Sequence, residues 1–368
     1  MDLDALLNSP LPEASAPRPL PPVGHGWGRP DARIMVVGEA WGEEEEKLGR
    51  PFVGRSGDEL RRMLQDAGIM ASDCWFTNVV NSRPPRNDIE VWMPEKKKDI
   101  THDMVDLRGR WVKPILRAGY EQLLKEIDLV KPSLIIALGN TSMFALCGRS
   151  GITRWRGSLL EFKGIRVVPT YHPAAVLRMW EWRAVAVLDL ARAGRELTSR
   201  APEPQWNFRT APNYEEVLGI LNRLLNVARF SDDPLWLDFD IETVRGHIRC
   251  FAISWSRTDA LCIPLMAEGC PHGYWLPQDE AMIMWLVYRL FTHRNVLLRG
   301  QNLLYDFQYW FRWMHYVPNL GQDTMLSHHV LWAGLPKSLL FQASMYSEYF
   351  WNWKDLVKHN EAEEKEGA

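Results

Sequence analysis

The sequence predicts an α/β domain followed by an α+β domain. Apolar runs and helix-period segments alternate from residue 33 to residue 197, as in a fold with a parallel sheet. From residue 235 onward the strand-like stretches come first and the helical ones later, which favours a mixed sheet. The length of 368 residues also suits two domains.

Composition sets the expected boundaries. Residues 1–28 are rich in Pro, Ala and Ser, which is typical of a flexible tail. Residues 201–212 have the composition of a linker. We therefore expect a first domain over 29–198, a linker over 199–213 and a second domain over 214–368.

In the first domain, apolar runs predict buried strands and helical spacing predicts the segments between them. Leu60, Met63 and Leu64 show that helical spacing. The predicted strands are 33–37, 74–80, 133–138 and one containing Val167 and Val168, and the predicted helices are 58–67, 114–128, 141–147 and 182–197.

In the second domain, the stretch LWLDFDIET (235–243) predicts a strand with acids at alternate positions. A period of two puts Asp238, Asp240 and Glu242 on one face, where they repel each other unless cations lie between them. The other predicted elements are helices 214–227, 280–292 and one beginning at 323, and strands 248–255, 260–265 and 296–298.

The net charge of -3 requires that any surface for nucleic acid be local. Eight basic residues lie between positions 83 and 113, beside Trp92 and Trp111; they form either a phosphate track or an ordinary solvated loop. The 18 tryptophans are mostly expected in packing, with a few as stacking platforms.

The five cysteines have no CxxC spacing, which argues against a zinc site or a disulfide framework. No signal pattern and no apolar run of about 20 residues is present, so we expect no membrane contact. The expected location is the cytoplasm, that of the host if a phage encodes the chain, with free thiols.

One loop organises the first domain. The run Ile34 to Val37 leads into the stretch GEAWGEEEEKLGRPFVG (38–54). This stretch carries carboxylates, an aromatic ring and glycines that allow sharp turns. Ligands of α/β folds bind at the carboxyl ends of strands, so we expect a site here. The alternative is a glycine-rich turn with a solvated acidic run.

This loop resembles the first motif of family 4 uracil-DNA glycosylases, GEAPGxxE followed by GxPFVGxxG. FTNVVNSRPPRND (76–88) is similar to that family's TNVVKCRPPxN, and TYHPAAVLRMW (170–180) to its HPS/HPA motif. The resemblance covers residues 30 to about 195 and implies a three-layer α/β/α domain that binds or excises uracil in DNA.

The resemblance also implies roles for individual residues. Phe52 would stack on the base, Asn78 would bind its edge and His172 would donate to uracil O2. Glu39, as a catalytic residue, and Glu45, as a base-binding one, match positions that shape the pocket. Val176, with Ala175 and Leu177, would form the wedge beside the flipped base. Candidate DNA-binding residues are Arg83, Arg86 and Arg178. Taken singly, Asn78 is equally consistent with a helix cap and His172 with a structural turn.

Two positions depart from the family pattern. Trp41 stands where the family has Pro, and Ser82 stands where it has one of four cysteines that bind an iron–sulfur cluster. Residues 1–30 contain no cysteine, so we predict that no iron–sulfur cluster is bound.

The second domain resembles the proofreading 3′–5′ exonuclease domains of family A DNA polymerases. Asp240-Ile241-Glu242-Thr243 is similar to their DxET motif, Asn302 to Asp306 to NxxxD, and DTML (323–326) to the segment that follows. The resemblance implies a ribonuclease H-like fold and Mg²⁺ or Mn²⁺ bound by Asp240, Glu242 and Asp306. The family's last motif, YxxxD, is missing; the segment 351–355 has its spacing without the Tyr, and Asp355 is more consistent with a surface acid.

These features predict a phage protein of DNA replication or repair that binds single-stranded DNA or a primer 3′ end. The aromatic segment 341–353 predicts an exposed surface that docks with a separate polymerase subunit, or with the missing C-terminal polymerase domain of a longer chain. The alternative is a non-catalytic module that binds DNA and docks with a polymerase, with decayed active sites.

Overall fold

The computed structural model describes residues 25–350 except 95, 201, 268, 270–272 and 348. The predicted tail up to residue 24, Cys270 and the segment from Trp351 to Asp355 lie outside the described residues. The described chain forms two compact units, one of residues up to 200 together with Phe350 and one of residues 202–349.

The first unit is built on a six-stranded sheet in the order β1-β3-β2-β6-β8-β7. The four central strands are parallel, and β1 and β7 join the edges antiparallel. Ile34 to Val37 are at most 5% exposed, as expected for a parallel strand covered on both faces. The strands are β1 (Trp27–Gly28), β2 (Ile34–Ala40), β3 (Cys74–Val80), β4 (Val105–Leu107), β5 (Arg110–Val112), β6 (Leu134–Leu138), β7 (Leu160–Phe162) and β8 (Ile165–Thr170), of which β4 and β5 pair as a separate hairpin.

Helices cover both faces of this sheet, which gives the predicted three layers. The helix Pro114–Val130 packs with Met35 and Val37 in one core, while Trp182–Thr198 packs on β6 and β8 with the helix Arg55–Asp66 beside it. The helices of this unit are Glu43–Leu48, Arg55–Asp66, Pro114–Val130, Gly139–Cys147, Ile152–Trp155, Pro173–Val176 and Trp182–Thr198.

The second unit has a mixed sheet in the order β14-β13-β10-β11-β12-β9. The strands β10, β11 and β12 are antiparallel neighbours, whereas β13 and β14 join parallel to β10, which is the ribonuclease H-like order. The strands are β9 (Asn207–Arg209), β10 (Leu235–Val244), β11 (His247–Ser254), β12 (Asp259–Pro264), β13 (Val296–Gly300) and β14 (Leu320–Asp323).

Helices of the second unit cover one face of its sheet. Leu237, Phe239 and Ile241 of β10 pack with the first three helices, so the alternation predicted for this strand is confirmed. Asn213 and Glu216 form a capping box that begins the first helix. The helices are Tyr214–Phe230, Pro277–Phe291, Leu303–Met314, Thr324–Leu331 and Leu339–Tyr346.

The aromatic segment predicted to be exposed is partly buried. Phe341 is 4% exposed and Phe350 is 2% exposed, and the Phe350 carbonyl accepts a hydrogen bond from Leu159 N–H at 2.9 Å. The prediction of an exposed aromatic surface is therefore wrong for Phe341 and Phe350, because the rest of the protein buries both rings. Tyr346 is exposed. Within the described ranges, no helix combines the length and apolarity needed to cross a membrane.

Candidate functional site

Side chains from three motifs meet at the carboxyl edge of the first sheet. Gly38 in β2 lies opposite Asn78 in β3, and His172 follows β8. A Cβ on Gly38 would lie 2.3 Å from Asn78 Oδ1 and 2.6 Å from Phe52 Cζ, so only glycine leaves room for both groups. Gly38 is thus a residue of the site, whereas the sequence suggested only that it allows a sharp turn. Its position in the first motif was the signal that could have indicated this role.

The Phe52 ring forms an aromatic wall of this site. Its centroid lies 6.4 Å from that of His172, with the planes tilted by 33°, and 5.9 Å from that of Phe76. Phe52 adopts φ 56°, which turns the backbone sharply at the end of the acidic loop. Arg61 donates to the Phe52 carbonyl at 2.8 Å, which holds that turn.

Glu45 closes the acidic loop. It is 8% exposed, and its two carboxylate oxygens accept the N–H groups of Gly54 at 3.0 Å and of Gly42 at 3.1 Å. Both oxygens are used by backbone amides, so in this structure the side chain holds the loop that carries Phe52.

The Asn78 amide is buried and oriented by a short chain of polar side chains. Its Nδ2 donates to Asn81 Oδ1 at 3.2 Å, and Asn81 Nδ2 donates to Thr77 Oγ1 at 2.9 Å. The assignment of oxygen and nitrogen follows from this network. Asn81 and Thr77 are supporting residues that sequence reasoning missed, although they flank Asn78 within TNVVN.

His172 is held as a neutral donor. Its Nδ1 accepts the Ala174 N–H at 3.2 Å at the start of the helix Pro173–Val176, so the ring proton belongs on Nε2. Burial, and then the positive charge of Arg178, lower the pKa of His172 to about 4. The ring is therefore an uncharged hydrogen-bond donor at neutral pH.

Glu39 follows Gly38 at the end of β2. Thr141 Oγ1 donates to its Oε2 at 2.6 Å, and burial raises the pKa of the Glu39 carboxyl against the opposing effect of that hydrogen bond. Thr141 belongs to the helix Gly139–Cys147, whose part in the site sequence reasoning did not foresee.

The residues after His172 divide into buried and exposed. Val176 is fully buried in the core, whereas Leu177 is 39% exposed. Leu177 and Arg178 line a cavity of about 600 Å³ together with the acidic helix Glu43–Leu48 and Ser56. The exposed large apolar side chain in this cavity is thus that of Leu177, and Arg178 is the basic residue next to it in the chain.

The other candidate DNA-binding arginines lie in the loop after β3. Arg83 donates to Asn87 at 2.7 Å and pairs with Glu46 at 3.3 Å, so its charge is partly used within the protein. Arg86 is exposed and has φ 58°.

The two departures from the family pattern touch each other. The backbone N–H of Trp41 donates to the backbone carbonyl of Ser82 at 3.1 Å. The described cysteines of this unit, Cys74 and Cys147, donate instead to the carbonyls of Met70 and Glu161, and burial raises the pKa of each thiol to about 12. The absence of a cluster stays a prediction.

The open face of β10 carries the predicted acids of the second unit. Asp238 is paired by both oxygens with Arg299 of β13, at 2.6 and 3.0 Å, which the sequence did not indicate. Asp240 and Glu242 are exposed. The three side chains do share one face, as the period of two predicted.

Asp306 approaches the same strand from the helix Leu303–Met314. It is 3% exposed, and its Oδ1 accepts the Ile241 N–H at 3.0 Å. Burial raises its pKa to about 6, and the negative charges of Asp240 and Asp323 add to the effect. Asp323 fixes the start of this helix by accepting Leu303 N–H at 2.9 Å.

Carboxylates are suitable ligands for Mg²⁺, but their arrangement here does not form a complete site. Across the described part of the chain, no three His, Cys, Asp or Glu side chains are grouped so as to hold a metal ion. Asp240, Glu242 and Asp306 therefore supply the right donor type without the convergence that two cations require. Asp355 lies outside the described residues.

Comparison with known proteins shows the family of the first unit. The family model "Uracil DNA glycosylase superfamily" matches residues 25–192, and the chain belongs to that superfamily. More particularly, it is similar to a type-4 uracil-DNA glycosylase of Thermotoga maritima, at 36% identity over 173 residues that make 46% of this chain and 79% of that protein.

A second similarity extends into the other unit. A DNA polymerase of Bacillus phage SP01 is 24% identical over 248 residues, which make 66% of this chain and only 24% of that polymerase. The matched stretch is longer than either structural unit, so it includes residues of both.

Among solved structures, RNase D of Escherichia coli aligns with a TM-score of 0.27 at 10% identity, over 39% of this chain and 34% of that one. The ribonuclease H-like fold of the second unit is seen in its own strand order.

Proposed function

We propose that the first unit excises uracil from DNA and that the second is a 3′–5′ exonuclease module acting beside it in phage-type DNA replication or repair. The observation that supports the first part most is the joint arrangement of Phe52, Asn78 and His172. One ring, one oriented amide and one neutral imidazole meet around Gly38 at a sheet edge where ligands of such folds bind.

In this proposal recognition follows from the oriented amide. The Phe52 ring stacks on the flipped base, Asn78 Oδ1 accepts from uracil N3–H, and the second Asn78 N–H donates to O4. Cytosine presents the opposite donor and acceptor at these atoms, so it leaves two buried groups unpaired. Selection of that kind is worth about 10⁴-fold.

The reaction breaks the bond between sugar C1′ and uracil N1. Water adds its hydroxyl to C1′ and its proton passes to solvent, while uracil leaves as an anion with charge on O2. His172 Nε2–H stabilises this charge as a hydrogen-bond donor. Glu39, held by Thr141, would counter the positive charge that develops on the sugar.

Contacts with the DNA strand would come from the surface next to the pocket. Leu177, exposed beside the cavity, would occupy the space left by the flipped base, and Arg178 would bind a phosphate. Arg83 and Arg86 would add phosphate contacts from the loop after β3.

For the second unit we propose Mg²⁺-dependent removal of nucleotides from a 3′ end, in which the cation would draw together the carboxylates of Asp240, Glu242 and Asp306. The remaining ligand would come from a polymerase polypeptide with which the chain docks, giving a split family A polymerase. The similarity to a quarter of a phage DNA polymerase, spread over both units, supports this.

A second candidate is a non-catalytic module that binds DNA and docks with a polymerase. The observation that favours it is the lack of convergence among the acids of the second unit. It predicts a chain that binds DNA but neither excises uracil nor shortens DNA in the presence of a polymerase subunit.

The test uses 5′-labelled single-stranded DNA with and without one uracil, in Mg²⁺ or in chelator. We expect one alkali-labile site at the uracil under both conditions, and a rate lower by about 10²–10³ for His172→Leu because the oxyanion donor is lost. His172→Gln, which keeps an N–H, should lose less. Shortened products should require Mg²⁺ and the polymerase subunit. If the wild-type chain leaves uracil DNA intact and shows no preference for it in binding, the proposal for the first unit is wrong.

A further inference from the structure

Two exposed aromatic side chains lie at the edge of the second sheet, Trp206 just before the edge strand β9 and Phe208 within it. Trp206 and Phe208 are 47% and 51% exposed, and their ring centroids lie 5.2 Å apart with the planes tilted by 31°. They belong to the stretch that composition assigned to a linker, yet β9 pairs parallel with β12 there. Phe208 thus has a fixed place in the sheet, and the Trp206 ring lies against it.

The sheet register puts Phe208 on the carboxylate face. Phe208 lies opposite Ala260, Ala260 opposite Ser254, and Ser254 opposite Asp238. Residues directly opposite each other in neighbouring strands share a face. Three strand spacings of about 4.8 Å put Phe208 about 14 Å from Asp238 along this row.

Small side chains lie between the rings and the acids. Ala252, Ser254 and Ala260 line a cavity of about 270 Å³ whose wall also includes Asp238 and Asp240. Thr324 and Leu339 complete the wall of this cavity. The cavity therefore lies between the acids of β10 and Ala260, the residue opposite Phe208.

The chemistry of this face suits an unpaired polynucleotide. Bases stack on exposed rings without regard to sequence, and only an unpaired strand can turn its bases onto them. At about 3.4 Å per stacked nucleotide, 14 Å corresponds to about four nucleotides. Arg209 follows Phe208 in β9, and Arg257 lies in the turn between β11 and β12, where Asp259 contributes one negative charge.

We propose that Trp206 and Phe208 form a stacking platform for single-stranded DNA, from which the strand crosses the small-residue floor to the acids of β10. This deepens the exonuclease role proposed for the second unit and rests on it for the direction of the strand. Binding itself requires no metal.

The experiment measures fluorescence anisotropy of 5′-labelled dT₁₂, which contains no uracil, with the full chain in chelator. Loss of base stacking predicts at least about 10-fold weaker binding for the double variant Trp206→Ala/Phe208→Ala. Phe208→Trp keeps a ring and should bind within about threefold of wild type. Phe230→Ala removes a ring that is 78% exposed elsewhere on the unit and should change nothing.

Three outcomes separate this inference from the function on which it rests. Binding of dT₁₂ by the double variant within twofold of wild type overturns the platform, and leaves the rings as a protein contact. Ring-dependent binding without any Mg²⁺-dependent shortening in the presence of a polymerase subunit overturns the exonuclease role and keeps the platform. An unchanged urea midpoint for the second unit of the double variant shows that this unit is folded, so that lost dT₁₂ binding supports the platform.

Discussion

The pocket of the first unit and the carboxylate face of the second are organised in opposite ways. In the pocket, the hydrogen bond to Asn81 sets the orientation of the Asn78 amide before any ligand binds. The hydrogen bond from the Ala174 N–H likewise sets the position of the proton on His172. On the carboxylate face, Asp240 and Glu242 are exposed, and burial holds the pKa of Asp306 at about 6.

The difference follows from charge. Neutral donors and acceptors can satisfy each other within the protein, so a pocket for a neutral base is completed by folding alone. Several carboxylates repel each other, and only a cation or a basic residue brings them together. Asp238 is an example, because both of its carboxylate oxygens accept hydrogen bonds from the Arg299 guanidinium.

The largest effect on uracil excision should come from replacing Asn78, whose amide would bind the edge of the base. Asn78→Ala removes both hydrogen bonds to uracil and leaves the Asn81 acceptor unpaired, so we expect uracil excision to fall by about 10³-fold or more. The measurement is single-turnover cleavage of uracil DNA. Asn222→Ala, an amide exposed in the second unit, is the control. A loss below tenfold would mean that Asn78 does not contact the base.

The pKa values of His172 in the first unit and Asp306 in the second should differ by about two units. NMR of labelled protein should show His172 neutral down to about pH 5, because its pKa is lowered to about 4, and Asp306 changing charge near pH 6. The wild-type to His172→Leu ratio of excision rates should then be constant from pH 5 to 8.

Mg²⁺ provides the second half of that experiment. A bound cation favours the ionised carboxylate, so it should move the Asp306 midpoint to lower pH and leave the His172 signal unchanged. An Asp306 midpoint that is insensitive to Mg²⁺, with the polymerase subunit present, would contradict its role as a ligand.

The smallest effect concerns stability. The Asp306 pKa is raised above its unfolded value, so its contribution to stability is fully present below about pH 4 and is lost as pH rises through about 6. Asp306→Asn keeps an oxygen for the Ile241 N–H and removes the buried charge, so it should stabilise the second unit by about 1–3 kcal/mol at pH 7.5.

Urea unfolding of that unit at pH 7.5 and at pH 4 provides the measurement. The gain should be absent at pH 4, where wild-type Asp306 is already protonated in the folded protein. Asp306→Leu, which leaves the Ile241 N–H without its acceptor, should be less stable than Asp306→Asn at both pH values. An equal gain at both pH values would show that buried charge is not the cause.

The long elements were predictable, and the short ones were not. The strands at 74–80 and 235–244 and the helices at 114–130 and 214–230 lie within a few residues of the predicted bounds, because each carries a full apolar period. The edge strands β1, β7 and β9 have two or three residues, too few for any period, and they exist because a neighbouring strand offers free backbone groups.

The sequence alone determined which groups stand at the ends of β2 and β3 and which acids share a face of β10, because both depend only on chain order and on a period of two. The tertiary structure decided their chemical state. Burial by distant elements lowers the pKa of His172 and raises that of Asp306, and Arg299 meets Asp238 only because β13 lies beside β10. Likewise, the sheet register alone sets Phe208 in the row that ends at Asp238. Charge state and contact both depend on neighbours far along the chain, and only folding brings those neighbours together.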